Sequence, residues 1–526
     1  MSEKESACIG ESHNQNKSHR MVKVVSILHL VSISFFFVCA GPFGQGTAIE
    51  AGGAKWTFIF TFLIPIVFSV PLALISSEQS SRLPTCGGCS EWGLILGRFV
   101  GVLNTYVRFL CSVFDNPIYP VMVTDYLVNF FPKLNYLGYR FIISILTNCI
   151  ILMINISGLR TVGVVSFVLS IIIIVPFILF FCFGAPKMTP SKVFAEKPKE
   201  YGPVKWSLLV STLIWQYSGF DTVTALSEET KDPKRTYPIA FSITIIITVL
   251  VYILPTVSGL SVEPDLERWK SGSFSDISKK LPHCSSGWLG YWIDVAGILS
   301  ALSMLNIAIS CTGRETFAGA LLDAFPFSKY LSRLHNNMKH EPLPIISLVF
   351  MSVLTIPFTL FDFSLLVEWS GLLTVIQQLI QISAFIALRF PSMVKRMRRN
   401  QAILRARVDA VELSSIEVST QISKNEKKDS SESGDEFEDL KDKFVVPGGW
   451  TGVAFVCVPI TAISVFMCVV AGWMSLVISI AMIAGMFLLK AIETGVKMLI
   501  VKFKRKRARQ RRERGEIEQS SSQESP

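Results

Sequence analysis

Two short interruptions put polar backbone inside apolar sequence. The first membrane-length segment is broken by Gly41-Pro42-Phe43-Gly44, and the sixth by Tyr217-Ser218-Gly219-Phe220, with Asp221 directly after. Backbone that leaves a helix at bilayer depth exposes N–H and C=O groups that lipid cannot satisfy, so such breaks persist where they line a cavity. Freed carbonyls beside a carboxylate suit a cationic group. Two breaks five segments apart are the expected mark of an inverted-repeat transporter.

Each ionisable residue within an apolar segment is costly unless it faces protein or water, and so is a functional candidate. Asp221 can bind an ammonium group directly or cap the half-helix that follows it. Asp115, with Asn116 and Tyr119, lies near the middle of the third segment; Arg108, seven residues earlier, shares its helix face. Asp115 therefore either serves substrate or protons, or is consumed by a buried pair with Arg108. Trp215, Tyr217, Phe220 and Tyr119 offer aromatic faces over which a desolvated alkylammonium gains up to ~2 kcal/mol, although aromatic side chains also simply pack helices. Phe220 is placed as a clamp. Glu368 is a candidate anchor for a distal amine, or a solvated helix end. Glu78, Asp115, Ser303 and Ser310 are candidates for proton or ion coupling, with helix packing the plainer role for the two serines. Pro42 removes one N–H from a cradle that could otherwise hold a carboxylate at a half-helix N-terminus.

The elements that must position these residues are membrane helices. Half of the 526 residues are hydrophobic and 17% are charged, which excludes an ordinary soluble enzyme. Twelve apolar segments are expected, at about 24–51, 56–77, 91–128, 139–157, 161–184, 207–228, 236–260, 290–312, 343–361, 364–389, 450–470 and 472–490. Lys and Arg concentrate in alternate connections, including 313–342 and 389–407, which predicts both termini in the cytosol. Lys187, Lys192, Lys197, Lys199 and Lys205 fall on the opposite side, against the trend. The expected organisation is a tail at 1–22, a transport core at 23–390, a charged linker at 391–448, two further spans at 449–491 and a polybasic tail at 492–526. Nine basic residues from Lys502 to Arg514 should bind anionic lipid of the inner leaflet. Cys86-Gly-Gly-Cys89 has redox or zinc spacing but lacks a second pair, and reads as a tight structural turn. No metal cluster, nucleophile–base pair or phosphate loop is recognisable, so neither an enzyme nor a cofactor is expected, and no nucleic-acid partner.

Several motifs occur in order: Ala40-Gly-Pro-Phe-Gly44, Ala51-Gly-Gly53, Pro71 to Glu78, Leu83-Pro84, and Phe114-Asp-Asn-Pro-Ile-Tyr-Pro120 with Asp125-Tyr-Leu127. Trp215, Phe220-Asp221, Glu229-Thr-Lys-Asp-Pro-Lys-Arg-Thr236 and Glu368 follow. Over about residues 25–390 this order resembles the polyamine-uptake branch of the amino acid–polyamine–organocation superfamily. The resemblance implies an all-α membrane protein of twelve helices. Five form an inverted repeat with the next five, as in leucine-transporter-like folds, and two are added at the C-terminus. It also implies uptake of diamines such as putrescine or cadaverine across the plasma membrane by alternating access, driven by protons or by membrane potential. The run Met304 to Cys311 and Gln381 lack glutamates found in relatives, which weakens the case for longer polyamines. Two alternatives stay open: an amino acid permease of the same fold, and a nutrient sensor that does not transport.

Overall fold

The computed structural model describes residues 22–39, 41–270, 272–336, 341–397, 399–400, 443–470 and 476–498. Most of the expected linker and the whole Lys502–Arg514 stretch lie outside the described residues. The architecture is helical, with α1 (Ile27–Val38), α2 (Gln45–Ile64), α3 (Val70–Arg82), α4 (Arg98–Asp115), α5 (Ile118–Phe130) and α6 (Leu137–Ile156). There follow α7 (Leu159–Gly184), α8 (Trp206–Tyr217), α9 (Pro233–Val262), α10 (Trp288–Leu321), α11 (Ile345–Phe358), α12 (Phe363–Ala387), α13 (Gly449–Val470) and α14 (Leu476–Met498). Among the described residues, eight helical segments are long and apolar enough to cross a membrane, while α1 and α11 are apolar but shorter. In its most apolar window α10 is 78% buried and α14 only 6%, so α10 runs through the centre of the bundle and α14 lies outside it.

The first expected break is present between α1 and α2. The expected second segment begins at a further kink, Gly53, whose φ of 73° interrupts α2. The carbonyls orphaned there are satisfied from the lysine-rich segment 185–206. Lys197 Nζ donates to Glu50 O at 3.0 Å and Ala51 O at 3.2 Å, and Lys192 Nζ donates to Ser261 O at 2.7 Å at the end of α9. Two of the lysines that run against the charge trend are thus helix C-caps, placed where a cation meets the negative end of the dipole.

The third segment, expected as one long tilted span, is divided at Asn116-Pro117 into α4 and α5, because Pro117 has no N–H to continue the ladder. After the second break no long half-helix follows α8; the chain makes a five-residue 3-10 turn, Thr222–Leu226. The eighth segment does not end near 312, as the charges in 313–342 suggested. It continues to Leu321, because Arg314 and Glu315 are carried inside as ion pairs: Arg314 with Glu229, and Glu315 with Arg108 at 2.9 Å. The stretch 261–289 contains the short helix Ser273–Ser278.

Cys86 to Cys89 forms the expected tight turn. Gly88 has φ +48°, and a Cβ on it would stand 2.4 Å from the backbone carbon of Thr224. Cys89 N donates to Thr224 Oγ1 at 3.1 Å, so this turn buttresses the 3-10 segment after the second break. Gly88→Ala combines a left-handed backbone costing about 1–2 kcal/mol with a backbone clash. We expect a fall of several degrees in the melting temperature of the purified protein. An unchanged melting temperature would show that the turn yields freely.

Candidate functional site

The two breaks meet. A Cβ on Gly219 would strike the Phe37 ring at 2.5 Å, and one on Gly44 would strike Gln216 Nε2 at 2.1 Å. Tyr252 of α9 donates to Gln216 O at 3.0 Å and, less closely, to Cys39 O at 3.3 Å. One hydroxyl therefore serves a freed carbonyl from each break, which is how broken backbone is tolerated away from water. Gln45 Nε2 donates to Gln216 Oε1 at 2.9 Å, a second link between the broken helices.

A small cavity opens between them. The first break contributes Phe37, Val38, Cys39, Gly41, Phe43 and Gly44, and the end of α8 contributes Trp215, Gln216 and Ser218. Asp115, Tyr119 and Met122 face it from the α4–α5 junction, with Tyr252 from α9 and Met304 from α10. Asp115 is the one charged residue among these, and no Lys, Arg or His is present. Its Oδ2 accepts from the Tyr119 hydroxyl at 2.7 Å, and the Trp215 indole N–H is a second donor. Phe43 closes one side through edge contacts with Tyr126 and Phe177, at centroid distances of 5.5 and 5.6 Å.

Arg108 decides between the roles open to Asp115. It does not pair with Asp115 among the described residues; its Nη2 donates to Glu315 Oε1 and its Nη1 stands 3.5 Å from Asp221 Oδ2. Asp115 thus faces the cavity without a cationic neighbour there, and Asp221 is held at an ion pair outside the lining. Asp221 is not a side-chain cap of the following turn either.

Of the expected substrate residues, Gly41, Phe43, Gly44, Asp115, Tyr119, Trp215 and Ser218 come together around the cavity. The others do not line it. Pro42 lends its carbonyl to Gln45 N at 3.1 Å. Asn116 Nδ2 donates to Thr312 Oγ1 at 3.1 Å, tying α10 to the α4–α5 junction. Tyr217 turns away, donating to Thr61 O at 2.8 Å. Gly219 packs on Phe37, and Phe220 packs edge-on against Phe241 at 5.0 Å rather than standing over the cavity. Glu368 is exposed on α12.

The coupling candidates separate similarly. Glu78 is fully buried, but its oxygens accept from Arg82 at 2.9 Å, from Arg389 at 2.9 Å and from Val446 N at 2.7 Å, so it fastens α3 to the segments before α13 and after α12. Ser303 Oγ donates to Leu299 O at 2.8 Å, a local helix contact, and Ser310 Oγ accepts from Arg314 Nη1 at 3.0 Å. Gln216, Tyr252 and Glu315 were not singled out from sequence. Gln216 adjoins a recognised break, which is a usable signal; Tyr252 sits in an uninterrupted apolar run and has none.

Residues 25–407 match the family model described as amino acid permease. The polyamine transporter RMV1 of Arabidopsis thaliana is 32% identical over 292 residues, covering 55% of this chain and 59% of that protein. The polyamine transporter PUT1 of Oryza sativa subsp. japonica is 30% identical over 290 residues, covering 55% and 54%. The aspartate-proton symporter of Bacillus subtilis (strain 168) is 24% identical over 326 residues, covering 58% and 62%. The alignments thus span less than two thirds of each of these relatives. The motif order and the family match agree, and the chain belongs to the amino acid permease family.

Proposed function

We propose that the chain is a secondary transporter that takes up small organic diamines, putrescine being the reference substrate, by alternating access around the two helix breaks. The observation that carries this reading is Asp115, a carboxylate facing a cavity with no cationic residue in its lining. A substrate ammonium would supply the missing charge. Phe43, Trp215 and Tyr119 surround the methylene chain and offer faces to a desolvated cation. The names of RMV1 and PUT1 support the same class. The breaks, separated by the intervening helices and joined through Tyr252, support a fold of twelve spans with a five-plus-five inverted repeat. We place the protein in the plasma membrane with both termini cytosolic, where its basic tail would meet anionic lipid.

The name of the aspartate-proton symporter, and the N-terminus of α2 beside the cavity, favour an amino acid permease as the second reading. Counterflow in proteoliposomes separates the two. Preloaded putrescine should drive entry of labelled putrescine, while arginine and leucine should not. Exchange with leucine but not putrescine would reverse the order of the readings.

A further inference from the structure

Arg108 meets two carboxylates at once. Its Nη2 donates to Glu315 Oε1 at 2.9 Å and to Thr222 Oγ1 at 2.8 Å, while its Nη1 lies 3.5 Å from Asp221 Oδ2. All three ionisable side chains are at least nine-tenths buried. The groups facing Glu315 are Arg108 from α4, Asp221 from the break after α8, and Cys89, whose thiol is 3.7 Å from Oε1. On its own helix stand Cys311 and Arg314, the latter already balanced by Glu229. With both carboxylates ionised the cluster would carry one uncompensated negative charge in a closed space, a costly arrangement. Glu315 Oε2 and Asp221 Oδ2 accept no hydrogen bond from the described residues.

Two kinds of ligand could remove that charge. A metal cation bound to these oxygens would sit against the Arg108 guanidinium and be repelled by it. A proton adds no such repulsion and turns a carboxylate into a neutral acid. Position within the backbone selects which one. Asp221 sits in the broken backbone between α8 and the turn Thr222–Leu226, with Arg108 Nη1 3.5 Å from its Oδ2. Glu315 lies inside the continuous helix α10, where the backbone N–H groups are already used.

We propose that Glu315 binds the proton co-transported with the amine. Protonated, it leaves Arg108 to Asp221 and the cluster neutral. When the break after α8 moves and carries Asp221 away, Glu315 becomes the sole counter-ion of Arg108 and gives its proton to water. This assignment rests on the transporter reading above.

The test uses the full chain in proteoliposomes with a trapped pH dye. For the wild type, external putrescine should acidify the lumen, and an acid-outside gradient should raise uptake several-fold. Glu315→Gln, fixed in the neutral form, should keep putrescine counterflow within about threefold of wild type. It should lose both the gradient stimulation and the putrescine-evoked acidification. Glu315→Asp, which retains a carboxyl group, should keep the stimulation with a displaced pH midpoint. Gradient stimulation surviving in Glu315→Gln would overturn the proposal, as would loss of counterflow in that variant, which marks a structural role. Should Glu315→Gln not fold, a wild type that exchanges putrescine without moving protons, or a Glu315→Asp midpoint identical to wild type, overturns it instead. Absence of any putrescine counterflow in the wild type would overturn the transport reading itself and this assignment with it.

Discussion

Asp115→Asn should reduce uptake of labelled putrescine at least a hundredfold while the protein stays folded. The substitution is nearly isosteric, and the new amide oxygen can still accept from the Tyr119 hydroxyl that now lies 2.7 Å from Asp115 Oδ2. What is lost is the one charge in the cavity lining. An ammonium that enters without a counter-ion keeps the cost of leaving water and gains little in return. Breaking a buried charge pair by neutralising one partner typically costs about 3–5 kcal/mol. At about 1.4 kcal/mol per factor of ten, that is roughly two to three and a half decades. The measurement is initial uptake rate in proteoliposomes, with size-exclusion elution and thermal melting as the folding controls. A folded variant retaining uptake within about tenfold of wild type would remove Asp115 from the recognition site.

The helical breaks were legible in the sequence because glycine and proline interrupting an apolar run have few other uses at that depth. Local sequence could also nominate Asp221, directly after a break, and Asp115, near the middle of the third segment. It could not tell which of them Arg108 would take. Helical spacing puts Arg108 and Asp115 on one face, which suggested their pairing. The structure resolves the competition through a third participant, Glu315, some two hundred residues from Arg108 in sequence and adjacent in space. The same long-range pairing hid the true length of α10. Charges at Arg314 and Glu315 read as the end of a span until their partners, Glu229 and Arg108, are seen. Buried ion pairs between distant segments leave no periodic signal in the sequence. Phe220 and Tyr217 show the complementary limit: position at a break was legible, but side-chain direction was not, and both turn toward other helices. The turn at Cys86–Cys89 went the other way, because two glycines between cysteines with no second pair left conformation as the stronger explanation, and Gly88 indeed adopts φ +48°.

Ornithine should inhibit labelled putrescine uptake at least tenfold more weakly than putrescine itself. The two differ by a carboxylate on a terminal carbon, and the cavity offers that group no cationic partner. If ornithine approached Asp115 with its carboxylate end, two like charges at 4 Å would cost ~1 kcal/mol in bulk water and ~4 kcal/mol at an effective dielectric of 20. If it presented its distal ammonium to Asp115 instead, the carboxylate would rest among Phe43, Trp215 and the first break. There Pro42 has no N–H to give, so the break supplies one donor fewer than an all-amide cradle would. At an effective dielectric of 20 the like-charge penalty alone exceeds the ~1.4 kcal/mol that separates affinities by a factor of ten, and in the second orientation the carboxylate leaves water without a cationic partner. Cadaverine provides the control for size. It adds one methylene and no charge, so only about 0.8 kcal/mol of apolar contact is at stake, and it should compete far better than ornithine. Inhibition constants for the three compounds at matched pH decide the matter. Equal inhibition by ornithine and putrescine would mean that the remaining N–H groups at the start of α2 do hold a carboxylate. An amino acid would then be the better substrate for this site.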